Sequence, residues 1–169
     1  MTTMKWLVIA TAVASLMACG GSPAALTPPA NIAGSYNGTI TASSTCSALP
    51  STTRVLQIIA EVTQNGGTAQ AQLLSHGGSA VTVSGTVSGQ TVTFPSMSFG
   101  ENMALGATFV GSGNASVGDN GSITGSLNGT YQTPSGPGCN AGSHQLQMVK
   151  LCPQQTTTGT AMVPCAGGI

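Results

Sequence analysis

Two histidines, His76 and His144, stand out in a chain with few other side chains able to move a proton or hold an ion. Imidazole titrates near neutral pH, so the pair could act as a general base or ligate a metal. Glu101 could orient His144 in a hydrolase-like arrangement, which requires the two to come within hydrogen-bond reach. Glu101 with Arg54 could instead recognise a carboxylate-bearing ligand. The plainer reading is two ordinary histidines at loop ends and a solvated, weak ion pair. Met97, Met103 and Met148 could line an apolar pocket, because the thioether adapts to varied shapes, or could simply fill core and loops. A paired-carboxylate hydrolase needs two acids within several Å. The acids are Glu61, Glu101 and Asp119, and their positions below do not converge. Gly111-Ser112-Gly113-Asn114-Ala115-Ser116 misses the GxGxxG phosphate loop. The cysteines lack CxxC spacing, which argues against a metal site, and no motif implies a cofactor.

The scarcity of such groups is itself informative. Charged residues make up 4% of the 169 residues, against roughly 25% in an average globular protein. Three basic residues cannot neutralise a phosphate backbone, so no nucleic acid is expected as a partner. Disorder is not the expectation either, because 40% of residues are hydrophobic. Gly, Ser and Thr take the place of charge.

The N-terminus places the rest. Lys5 is followed by an apolar run, Leu7 to Ala18, shorter than the ~20 residues that span a bilayer. The run ends in Leu16-Met17-Ala18-Cys19, with Gly20 next. This segment resembles the signal and lipobox of bacterial lipoproteins. The resemblance implies a signal peptide over 1–18, lipidation of the Cys19 thiol and anchorage in the outer membrane, since Gly20 carries no inner-membrane retention signal. Multiple acyl chains make such an anchor stable. Residues 19–31 then read as the lipidated cysteine and a Pro/Gly/Ser/Ala tether, residues 32–152 as the folded domain, and 153–169 as a C-terminal tail.

The elements that must position the chemistry read as strands. Residues 32–152 show no helical stripe and repeated period-two alternation. Eight strands are expected over 32–42, 54–64, 68–75, 80–87, 90–95, 106–117, 121–131 and 143–151. With turns at Asn65-Gly66, Ser88-Gly89 and Gly118-Asp119-Asn120, Val62 faces Ala69, Val83 faces Phe94 and Ala115 faces Ile123. All three hairpins keep their apolar residues on one face, which a one-residue slip would destroy. The expected fold is all-β: an eight-stranded antiparallel up-and-down barrel or barrel-like sandwich with two disulfides. Gly34-Ser35-Tyr36-Asn37-Gly38 resembles the opening strand of small lipocalin- and avidin-type barrels, with Tyr36 where those families usually carry Trp. Ile123 to Tyr131 repeats the idea in reverse order. A membrane barrel would need an apolar outer face with aromatic girdles, and an apolar face rich in Gly and Ala suits a cramped interior better.

Alternating strands sort the loops. The tight turns, the tether, Asp119 and Lys150 fall at one end. The longer connections fall at the other, with Arg54, His76, Glu101, Met103, Tyr131 and His144 as a candidate ligand mouth. Glu61 points outward from mid-strand. With Cys19 lipidated, four cysteines remain, which reads as two disulfides in an exported chain. Barrel closure brings the first strand beside the eighth, which predicts Cys46–Cys139 at the mouth and Cys152–Cys165 pinning the tail. The functional expectation is a non-enzymatic outer-membrane lipoprotein with a binding or interaction role. Alternatives are a carrier of a small apolar ligand, an inhibitor of exported proteases by analogy with other small barrel lipoproteins, and a hydrolase built on His144 and Glu101. The partners foreseen are the membrane, through Cys19, and either a small apolar ligand or an envelope protein.

Overall fold

The structure, a computed structural model, describes residues 27–74, 80–100, 107–133, 136, 138–156 and 159–165. Eight strands are consecutive neighbours: β1 (Gly34–Thr41), β2 (Val55–Asn65), β3 (Thr68–Leu74), β4 (Val81–Ser88), β5 (Thr91–Gly100), β6 (Thr108–Val117), β7 (Ile123–Gln132) and β8 (Cys139–Thr156). β1 also pairs with β8, from Tyr36↔Lys150 to Thr41↔Gln145, so the sheet closes into an antiparallel up-and-down barrel. Closure leaves these eight strands no long open edge. Cys46–Cys139 and Cys152–Cys165 are both disulfides.

Alternation decides which face is inside. Along β2, Leu56, Ile58, Ala60 and Val62 are buried while Gln57, Glu61 and Thr63 are exposed. On the other strands too the outward positions are mainly Thr, Ser, Gln and Asn. The expected faces are therefore observed, but the expected registers are not. Val62 lies opposite Ala71, Val87 opposite Val92 and Val117 opposite Ile123, so each hairpin is displaced from the expected pairing by two positions. The cause lies in the turns. The first occupies Gly66-Gly67 and the second Gly89-Gln90, with positive φ at the leading glycine (56° and 55°). Glycine thus stands first in the turn, as in type II′, and not second after Asn or Ser. The third turn spans 118–122 and is closed by Gly118 N–H to the Ser122 carbonyl at 2.8 Å. A displacement of two keeps the parity of each strand, so the inward set is unchanged.

Two bulges correct the phase within long strands. In β5, Phe94 faces Gly113 and Met97 faces Gly111, so Pro95 and Ser96 together oppose one residue. The strand therefore runs past its expected end at residue 95 and buries Met97 and Phe99. Proline is accommodated at a bulge because no ladder donor is required there. In β8, an extra residue opposite Asn128 brings Ala141 on one side and His144 on the other to the inner face. Packing inside is tight: a Cβ on Gly111 would lie 2.6 Å from the Phe109 ring. The free space lined by Ile58, Val83, Phe94, Met97, Leu146 and Met148 amounts to about 20 Å³. Roughly 10–15 Å³ holds one water and a small-ligand pocket needs roughly 300 Å³ or more, so among the described residues this part of the interior is filled.

Beyond the barrel, β8 continues and pairs with β9 (Gly159–Pro164), so the expected tail is a β-hairpin stapled by Cys152–Cys165. Cys165 N–H donates to the Lys150 carbonyl at 2.9 Å. Counting along the antiparallel ladder from that bond, Pro153 and Pro164 fall at positions whose N–H would point away from the partner strand. Each open edge of the hairpin thus lacks a donor where another strand would need one.

Candidate functional site

At the long-loop end, the described residues of the expected mouth are Arg54, Tyr131 and His144, and each is turned onto backbone. His144 is fully buried. Its Nδ1 accepts from the Ser43 backbone N–H at 3.1 Å, which leaves the ring proton on Nε2, 3.1 Å from the Gly129 carbonyl. The imidazole stacks against Tyr131 at 5.9 Å and meets Phe109 edge-on at 5.4 Å. Burial pushes its pKa below the usual 6.5, against the opposing effect of the bond to Gly129. The ring is neutral, and both nitrogens are engaged with the backbone.

Around this ring the β1–β2 connection folds inward. Leu49 and Cys46 are buried, and Cys46 is tied to Cys139 at the start of β8 with a Cα–Cα distance of 5.6 Å. Arg54 braces the same loop through Nε–H to the Leu49 carbonyl (3.1 Å) and Nη2–H to the Cys46 carbonyl (3.0 Å). Tyr131, wholly buried, donates its hydroxyl proton to the Thr53 carbonyl at 2.8 Å. Ser43 Oγ lies 2.8 Å from Ser143 Oγ and 2.9 Å from Thr45 Oγ1. Of the expected mouth residues, Arg54, Tyr131 and His144 therefore converge, and each holds backbone. His76, Glu101 and Met103 lie outside the described residues, as does Cys19. Ser43 was not legible as a partner of His144, because serine is everywhere in this chain.

The tight-turn end is built differently. The chain before β1 crosses it as a strap. Ala30 N–H donates to the Gly89 carbonyl at 2.7 Å, and Gln64 clamps the strap by accepting from Ile32 N–H (2.7 Å) and donating to the Ala30 carbonyl (2.9 Å). Ile32 is buried against the core. Tyr36 donates its hydroxyl to the Ile32 carbonyl at 2.8 Å, and burial raises its pKa from 10.0 to about 12. The last residues of the expected tether, Ala30 and Asn31, thus belong to the folded end.

Between the strap, the β6–β7 turn and the exit of β8 lies an open cleft of about 490 Å³. Asn31, Gln90, Val117, Asp119, Asn120 and Lys150 contribute to its wall. Lys150 reaches it between two glycines: a Cβ on Gly121 would lie 2.8 Å from Lys150 Cδ, and one on Gly34 3.1 Å from Cε. Asn120 Oδ1 accepts from Ser122 N–H at 3.0 Å, which fixes the turn carrying Asp119. The sequence signal for this cleft was the presence of two opposite charges near an end with few others. Glu61, by contrast, sits on the outer wall and accepts from Ser35 Oγ at 2.6 Å.

Among the described residues, no three His, Cys, Asp or Glu side chains group as a metal site would require. Compared with known protein families, with curated proteins and with solved structures, the chain matches none.

Proposed function

We propose that this protein is an exported lipoprotein, anchored in the outer membrane through Cys19, whose barrel is a non-enzymatic scaffold for a binding or interaction role. The observation that carries the reading is the pair of disulfides, which belong to an oxidising compartment, standing behind an N-terminal segment with the lipobox Leu16-Met17-Ala18-Cys19. The polar outer wall and the apolar interior support a barrel that works in water, with the tether as its link to the membrane. The engagement of His144, Arg54 and Tyr131 with backbone supports a scaffold over a catalytic centre at the mouth. The filled interior directs binding to the outside of the barrel.

The test is processing in the native host. Mass spectrometry of the N-terminal peptide should find a diacylglyceryl-modified Cys19 at the mature terminus, and Cys19→Ser should release the protein from the membrane fraction. An unmodified terminus elsewhere, or membrane association unaffected by Cys19→Ser, would overturn the reading.

A further inference from the structure

The cleft at the tight-turn end carries a chemistry of its own. Lys150 is held by its surroundings: its stem passes between Gly34 and Gly121, both at positive φ (134° and 75°), where a larger residue would displace it. Its Nζ stands 6.0 Å from the centre of the Tyr36 ring. No ion pair or hydrogen bond occupies the ammonium among the described residues. Asp119 brings one negative charge to the same cleft, on a turn fixed by its own hydrogen bonds. Asn31, Gln90 and Asn120 add neutral amides, and the strap wall is pinned by Gln64. A cation and an anion lining one cleft, with amides in the same wall, complement a ligand that bears both charges. A simple anion would meet Asp119, and a simple cation would meet Lys150.

We propose that this cleft binds a small zwitterion, a phosphate or phosphodiester next to a primary ammonium, with Lys150 on the anionic group and Asp119 on the cationic one. Two sources share that chemistry: a free phospho-amino compound and an aminophospholipid head group. The site stands without the anchor. Only the lipid source rests on the anchored reading, since the strap leads from this end toward Cys19.

The experiment is an amide-shift NMR titration of the mature chain, disulfides intact, with O-phosphoethanolamine, inorganic phosphate and ethanolamine. O-phosphoethanolamine should bind at least tenfold more tightly than either half, with shifts centred on residues 118–121 and Lys150. Lys150→Gln should weaken it tenfold or more. Asp119→Asn should abolish its advantage over phosphate. Equal binding of the three probes, shifts centred elsewhere, or unchanged affinity in Lys150→Gln would overturn the proposal. Both substitutions lie outside the core, and an unchanged thermal transition verifies the fold. A short-chain phosphatidylethanolamine below its micelle concentration separates the sources: binding at least as tight as O-phosphoethanolamine supports the head group, and weaker binding supports the free compound. Cys19 lipidation is tested separately, so failure of the anchor and failure of the site give different results.

Discussion

Each end of the barrel carries a wholly buried tyrosine whose hydroxyl holds a backbone carbonyl of a neighbouring connection: Tyr36 on Ile32, Tyr131 on Thr53. Beyond that shared device the two ends diverge. The long-loop end adds a disulfide that ties its loop to β8, and a buried histidine and an arginine that both hold backbone. The tight-turn end is fastened by a glutamine and short turns, and its two charged residues stay on the rim of a cleft. Polar chemistry gathered in one place can thus be structural, because irregular loops leave backbone groups that buried side chains must satisfy. Tight hairpins satisfy their own backbone and release their side chains for other work.

This contrast can be tested in order of expected effect. Cys46–Cys139 spans 93 residues, and its removal as Cys46→Ser with Cys139→Ser should cost about 4 kcal/mol in urea unfolding. Removal of Cys152–Cys165 should loosen the hairpin and change barrel stability by less than about 1 kcal/mol, because among the described residues β9 pairs only with β8. Equal losses would mean that the hairpin is part of the cooperative unit. Next, His144→Ala should cost about 3 kcal/mol, from lost packing and a Ser43 N–H left without its acceptor.

The same histidine should imprint a pH dependence. Its folded pKa is depressed, so the unfolded chain binds more protons between that value and 6.5. Its stabilisation is complete above about pH 6.5 and is lost as pH falls through the folded pKa. His144→Ala should flatten that acid limb in a series of melting curves. At the other end the sign reverses. Tyr36, raised to about 12, should lose stability as pH climbs from about 10 to 12, and Tyr36→Phe should remove that slope at a cost of about 1 kcal/mol near neutrality. Smallest of all, Asp119→Asn and Lys150→Gln should each shift stability by no more than ~0.5 kcal/mol, as surface substitutions do. A larger loss would show that those charges, too, are structural.

Much of the fold was legible because alternation survives errors of register. The strands, their inward faces, the closure and both disulfide pairings follow from parity and topology alone. The true hairpin pairings did not, because Asn65-Gly66-Gly67 offers two overlapping turns and only backbone geometry chooses between them. The strand expected over 90–95 left out Met97 and Phe99, since the bulge at Pro95-Ser96 breaks the alternation there. The β8–β9 hairpin was hidden by prolines and by the absence of alternating large apolar residues. At the site, the gathering of Arg54, Tyr131 and His144 was legible as position. Their role was not, because their partners are backbone atoms of Leu49, Cys46, Thr53, Ser43 and Gly129.

The route of the chain through β1 bears on mechanical load. A pull on the segment before Gly34 first meets the strap bonds at Ala30 and Ile32, then a strand bonded to β2 on one side and β8 on the other. Drawn along its own axis, that strand must shear against two ladders together. Should it yield, unravelling stops at Cys46, because the next covalent path jumps to Cys139 and leaves the intervening loop slack. From residue 27 to that stop, the fully extended chain measures roughly 65 Å at about 3.4 Å per residue. The disulfide at the far end thus acts as the arrest for force entering at the near one.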